Sequence, residues 1–584
     1  MKHYINMKQK IFRLGWLIIT VMMLAFVPKE VRAQEETLGA FTVTKGDGGE
    51  CSFADNKLTV KAGTVTVSTP EQTNQTIVLE GTARLILAGV NINTSAAPPI
   101  DVTGNDAVIE LAANTQNTLE STSYGYAGIH VDVKSKVTFT GSGELDVKNT
   151  GSNYGNSSCG IGGQRRGPDN YSCGTIIFDL DGTITAQGGD RAAGIGTCMK
   201  QSGNTPVYGC ILIKKGIINA TGGLCASGIG TGPDGGGGSV KIYVEGGTIT
   251  ANGNYGSGGI GNGLNGQTVM QIAITGGQIY GNVKATGQAP YYIQLDQVII
   301  GPDATVTDGV SEYKNGIVFS GNPKTATMKG DVIIPSDVIL TIDDGETLTI
   351  PDGRTLTIEE GGTLINNGAI IEKGTIINNG TLTNNGATKY ERTNLTIGNY
   401  GTICLPYAVT EKSGAEFFSI AGKKIEDSKV TWLVLKEVEG DLEAGKPYIF
   451  KATADKLSCT YSMNNAVESP SRDKGLIGCF TQIAVPENCY ALKDNVIYKC
   501  SAEKTWNIAA NRAYINMGDV SEYNPDASSS ANHVVKMRVS GGTTGIDAVR
   551  TEQQDGVYYN MQGQRVASPS HGIYIVNGKK VIMK

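Results

Sequence analysis

The sequence predicts an all-β chain: a right-handed parallel β-helix, then a β-sandwich, then a small C-terminal β domain. Three observations predict the β-helix. A short phrase recurs at Gly128-Ile129, Gly160-Ile161-Gly162, Gly194-Ile195-Gly196, Gly228-Ile229-Gly230 and Gly259-Ile260-Gly261, in steps of 31 to 34 residues. A second phrase keeps phase with it, at Asp181-Gly182-Thr183-Ile184, Lys215-Gly216-Ile217-Ile218, Gly246-Gly247-Thr248-Ile249 and Gly276-Gly277-Gln278-Ile279. Each repeat holds three strand-like runs with Gly-rich corners and no helical periodicity. Self-similarity at a fixed period means a solenoid, propeller or array. A propeller blade needs ~40–45 residues and four strands, so the shorter repeat favours β-helix coils pairing at ~4.8 Å.

The chain has 584 residues, enough for several domains, and its 79 Gly show no collagen period. Residues 1–33 read as a secretory signal. Lys8, Lys10 and Arg13 precede an apolar run from Leu14 to Val27, and Val31-Arg32-Ala33 resembles a cleavage site. No later stretch approaches the length of a membrane span. After residue 33 the chain keeps 43 basic and 54 acidic residues, a net charge of −11. That balance argues against nucleic acid as the main partner, because phosphate binding needs a basic surface. It would also repel an anionic polysaccharide unless a cation bridged the two.

All 11 Cys follow the signal. Cys159, Cys173, Cys198, Cys210 and Cys225 fall within the repeats, where buried free thiols are expected. No metal-ligand spacing such as C-x-x-C occurs.

Residues 34–63 read as a cap with a first strand at Leu58-Thr59-Val60. The runs Ile77-Val78-Leu79, Leu85-Ile86-Leu87, Val90-Asn91-Ile92, Ile100-Asp101-Val102, Val108-Ile109-Glu110-Leu111 and Val137-Thr138-Phe139 extend the series backwards. In their order, from "IVLEGTARLILAGVNINT" to "KVTFTGSGELDV", they resemble a carbohydrate-binding β-helix family of secreted bacterial proteins. The resemblance covers roughly residues 64–285; the "GIG" coils from Cys159 onward depart from the family's plainer pattern. It implies binding of cellulose- and pectin-like polymers, with calcium as the cation of the helix loops.

From Asp331 the repeat shortens. Leu340, Leu348, Leu356 and Leu364 are eight apart, and Ile370, Ile376 and Leu382 six apart, with Asn-Asn-Gly corners. Residues 286–388 therefore read as a continuing, tighter solenoid. From 389 to 522 the repeat is gone, and short strands with Gly, Pro and Asn turns suggest a sandwich. "YGTICLPYAV", "EAGKPYIFKA" and "IAANRAYINM" resemble a β-sandwich module of secreted Bacteroidota proteins. Residues 523–552 form a Ser/Gly/Thr-rich linker holding one strand, Val534 to Val539. Residues 553–584 include "YNMQGQRV" and "GIYIVNGKK", and resemble the C-terminal sorting domain of type IX secretion cargo. That resemblance implies export and attachment at the outer cell surface.

The segment Cys489 to Cys500 reads as a hairpin turning at Asp494-Asn495. Centred there, Tyr490 pairs with Lys499 and Cys489 faces Cys500 within reach of a disulfide. A longer turn would leave two separated thiols.

Three functions are open. In a binding protein, the loops before the Gly-Ile phrases present Tyr124, Tyr126, Tyr154, Arg191 and Tyr255, and the loops after them carry Tyr171, Arg165 and Arg166. Aromatic rings at coil spacing suit sugar rings, whose C–H faces stack on them. The alternative is that these tyrosines only cover coil corners. In a surface adhesin, the solenoid is a stalk. In a hydrolase, carboxylates must flank the scissile bond; in a lyase, a cation and a Lys or Arg base must stand near a neutralised uronate. Asp132, Asp146, Asp179 and Asp181 are the candidates, but the coils equivalent to Asp179 and Asp181 offer no acidic stack. His130, His533 and His571 lie in separate regions, against a His-based triad. The reading is therefore a secreted or surface-displayed, non-enzymatic polysaccharide-binding protein, with no catalytic residues expected.

Overall fold

A computed structural model describes residues 35–104, 106–151, 157–167, 171–199, 207–234, 238–285, 296–426, 430–461, 467–493, 495–501, 506–524, 534–538, 558–560, 565–566, 572–576 and 579–583. The described chain is all-β, without a helix. It forms two compact units. One comprises the chain up to Asp296 with Ala304–Tyr313; the other comprises Gln297–Asp303 with Lys314–Lys584.

In the first unit, antiparallel hairpins open the chain: Glu35–Leu38 with Phe41–Lys45, and Glu50–Ala54 with Lys57–Ala62. Parallel pairing then takes over, in three rows. One row runs through Thr64–Ser68, Arg84–Leu87, Ala107–Leu111 and Lys136–Gly141 into the first halves of Thr175–Gln187 and Val207–Thr221. A second runs from Lys57–Ala62 through Thr76–Leu79, Ile100–Val102 and Ile129–Val131 to the Gly-Ile phrases. A third runs through Asn91–Thr94, Gln116–Ser121 and Glu144–Asn149 to the later halves of the long strands.

The Gly-Ile phrases pair with one another in register, Ile129 to Ile161, Ile195, Ile229 and Ile260. Leu58, Ile77 and Ile100 precede them in the same column, and every member is fully buried. The column removes apolar surface from water at each step, which is the main force holding the segments in register. The second glycine of the phrase is required by its backbone. Gly196 has φ +131°, and a Cβ there would stand 2.1 Å from the Gly230 carbonyl oxygen. Elsewhere in the interior, Phe139 stacks on Phe178 at 5.1 Å. Cys159, Cys173 and Cys198 are buried free thiols as expected, whereas Cys210 and Cys225 are only half-buried.

In the second unit, successive leucines of the eight-residue series do not pair with one another. Leu340 pairs with Leu364, Leu348 with Ile370 and Leu356 with Ile376. Each eight-residue step is one strand in one of three parallel sheets, and the chain visits all three before returning. The last strand of this series, Ala387–Arg392, pairs antiparallel with Leu457–Tyr461.

Two antiparallel sheets follow. One joins Tyr400–Ile403, Tyr448–Ala452, Ala415–Glu426, Val430–Glu437 and Val534–Arg538. The other joins Arg472–Asp473, Leu476–Cys479, Arg512–Ile515, Tyr490–Lys493 and Val496–Lys499. Phe418, Leu433 and Ile449 from the first share one buried cluster with Leu476, Ile497 and Ile515 from the second. The strand expected inside the linker thus pairs with Val430–Glu437. Tyr558–Tyr559, Arg565–Val566, Gly572–Val576 and Lys579–Met583 form a separate antiparallel sheet.

The hairpin after Cys489 has the expected register, Tyr490 with Lys499 and Lys493 with Val496. Asn495 turns it with φ +66°, and the Cys500 N–H donates to the Cys489 carbonyl at 2.8 Å. The bridge itself is not formed; both are free thiols. Cys500 is buried against Val485 and Tyr514, while Cys489 is only half-buried.

Candidate carbohydrate-binding surface

The loops before the Gly-Ile phrases turn through the left-handed region, at Arg191 (φ +58°), Cys225 (φ +59°) and Tyr255 (φ +48°). These turns do not set the loop side chains in one aromatic row. Tyr124 and Tyr126 are half-buried beneath the next loop. Arg165 lies 5.1 Å from the Tyr124 ring centroid and Arg166 lies 5.5 Å from that of Tyr126. The Arg166 N–H donates to the Gly125 carbonyl at 2.9 Å, pinning the two loops together. Hydrogen bonds to Tyr126 and then Tyr124 raise the Arg166 pKa further. These tyrosines therefore offer an arginine-capped edge rather than open ring faces.

Tyr171, at φ +77°, packs on a buried cluster of Cys159, Ala192, Ala193 and Cys198. Arg191 is half-buried, and its Nη1 lies 3.7 Å from the Met199 sulfur. Tyr255 is 71% exposed at its turn. Tyr154 lies outside the described residues. The structure thus joins Tyr126 to Tyr124, Arg165 and Arg166, places Tyr171 in local packing, and leaves Tyr255 open to solvent.

The carboxylates Asp179 and Asp181 both meet Lys215, at 3.9 and 2.8 Å, on a solvated surface. Asp101 contacts His130 Nδ1 at 2.7 Å. Among the described residues, no group of three or more His, Cys, Asp or Glu is placed to hold a metal ion.

A second surface escaped the sequence reading because it lies between the apolar positions. In the third row of strands, Ile184, Ile218, Ile249 and Ile279 point inward in register, followed by Ala186, Ala220 and Ala251. Side chains alternate along a strand, so the residues between them face out. They form three columns. The middle column runs Asn91, Thr118, Asp146, Thr185, Asn219, Thr250 and Tyr280. Beside it run Thr183, Ile217, Thr248 and Gln278 on one side, and Gln187, Thr221 and Asn252 on the other.

From Thr183 onward no member of the columns is charged, although charged residues make up 18% of the chain. Earlier members carry Glu120, Glu144, Asp146 and Lys148. Apart from the exposed Ile217, the neutral part is a lattice of hydroxyls and amides at ~4.8 Å across strands and ~6.7 Å along them. Asn219 reaches Thr185 at 3.5 Å, and Tyr280, 46% exposed, donates to Gln278 at 3.0 Å. Such groups exchange water for sugar hydroxyls without stripping a charge of its solvent.

Residues 54–160 match a family model described as carbohydrate-binding domain-containing protein. Neither the comparison with curated proteins nor that with solved structures returns a match. The matched stretch contains Tyr124, Tyr126 and the charged start of the columns; the neutral columns lie beyond it. No described helix is long and apolar enough to cross a membrane.

Proposed function

We propose that the protein is a non-enzymatic polysaccharide-binding protein, built on a right-handed parallel β-helix over residues 64–285 and displayed outside the cell. The match of residues 54–160 to a carbohydrate-binding family carries this reading. The in-register parallel pairing of the Gly-Ile phrases favours the β-helix. The columns from Thr183 to Tyr280 are in register and uncharged, which suits a neutral chain of hydroxylated rings laid across the strands. Tyr255 and the arginine-capped Tyr124 and Tyr126 supply further contacts from the loops. Export rests on the signal-like residues 1–33 and the sorting-like residues 553–584.

A glycan array probed with and without calcium, followed by product analysis of each bound polymer, tests this reading. Binding of a neutral polysaccharide without turnover is expected. Turnover would replace it with the lyase or hydrolase reading, and silence across the array would leave the stalk of an adhesin.

A further inference from the structure

The second unit contains a cleft of about 420 Å³ whose lining includes Arg392, Arg512 and Lys493 and, among the described residues, no Asp or Glu. Three cations with no acid among the described lining residues stand out in a chain whose formal net charge is −6. Among the described residues neither guanidinium has a carboxylate partner. Arg392 donates to the Thr402 carbonyl at 3.3 Å and lies 5.1 Å from the Phe450 ring centroid. Arg512 Nε is buried without a hydrogen-bond partner among the described residues. No described carboxylate forms an ion pair with either guanidinium within 4.0 Å. Burial, and then the neighbouring Arg512, push the Arg392 pKa down to about 10, while Tyr390 and Asp352 oppose that only in part.

Placing like charges together in a partly desolvated cleft is unfavourable unless an anion joins them. Guanidinium groups match the geometry of oxyanions and hold them through paired N–H donors. Lys493 adds an exposed ammonium at the rim, 5.3 Å from the Trp506 ring centroid. Asn394, Asn399 and Asn507 add amides to a lining that also holds apolar side chains such as Leu395, Phe450 and Ile508. The cleft is far roomier than an isolated ion requires, since one water occupies ~30 Å³ of liquid.

We propose that this cleft binds an oxyanion carried on a polar organic ligand, with Arg392 and Arg512 gripping the anionic group and Lys493 closing over it. The oxyanion is a carboxylate or a sulfate, and the asparagines meet the hydroxyls of the group that bears it. This site is separate from the polar columns and does not depend on them.

Isothermal titration of the full chain with glucuronate, glucose 6-sulfate and glucose, at matched ionic strength, tests the proposal. At least one anionic sugar binds and glucose does not; whichever anion binds more tightly identifies the oxyanion. Arg512→Gln weakens that binding at least tenfold. Absence of binding by both anionic sugars, equal binding of glucose, or undiminished binding by Arg512→Gln would each overturn it. Where Arg512→Gln does not fold, Lys493→Gln on the exposed rim decides instead: binding weakens severalfold, and unchanged affinity overturns the proposal.

Discussion

The polar columns of the first unit and the cationic cleft of the second are built by opposite routes. The columns arise from repetition. A residue at a given position meets its equivalent one segment later, so Thr185, Asn219 and Thr250 become neighbours although each lies some thirty residues from the next. The cleft arises from convergence. Arg392, Lys493 and Arg512 come from strands whose places are set by antiparallel pairing, with Thr402 bonded to Ala513 across 111 residues of sequence. A repeated surface tolerates the loss of one member; a convergent one does not. Both units bury individual polar groups, Asn117 and Asn262 in the first and Glu372 in the second.

That comparison breaks most severely at the buried isoleucine column. Ile229→Asp would place an unpaired carboxylate between Ile195 and Ile260, and should destabilise the first unit by about 3–5 kcal/mol. Protease resistance of the region should collapse; normal melting would contradict the register.

Glu372 in the second unit supplies the next effect. Burial raises its pKa to about 7 from 4.5, against the opposing hydrogen bonds from Tyr461 and Asn511. The folded state therefore holds a proton that the unfolded state releases between those values. Stability falls as pH rises from about 4.5 through 7, by on the order of 3 kcal/mol in total. Glu372→Gln should flatten that dependence and be the more stable form at pH 8, which unfolding curves across pH would reveal. An unchanged slope would place the titrating group elsewhere.

Gly196→Ala tests the backbone of the repeat. The left-handed φ and the approach to Gly230 should cost ~2 kcal/mol or more, read as a shifted denaturation midpoint. A neutral substitution would mean that the phrase is not so tightly stacked.

The smallest effect belongs to Tyr255. Tyr255→Gly relieves its left-handed turn and should leave stability within ~0.5 kcal/mol. Because it is exposed, any loss of polysaccharide binding by this variant reports a contact rather than a fold defect.

Much of this fold was legible because apolar periodicity and glycine placement repeat. The Gly-Ile register and the hairpin at Asn495 follow from local patterns that tertiary structure did not override. The eight-residue leucine spacing was visible, but its meaning was not: the sequence shows the length of one strand and its turn, not the number of sheets visited per circuit. The loop tyrosines were conspicuous as residue types, yet only the structure shows Arg165 and Arg166 lying over Tyr124 and Tyr126. The outward columns were hidden by their own neutrality, since Thr, Asn and Gln between buried isoleucines look like ordinary strand filler. The cleft had no sequence signal, because its three cations are brought together by long-range pairing alone.

The central claim is that a neutral polymer lies along the columns of the first unit. Affinity electrophoresis of the full chain in gels containing a soluble neutral β-glucan tests it directly, with the Asn219→Ala/Thr250→Ala variant run alongside. The wild type should be retarded at least tenfold more strongly than the variant, with both melting alike to within ~1 kcal/mol per substitution. Equal retardation of the two, or retardation only in gels containing an anionic polymer, would contradict the account.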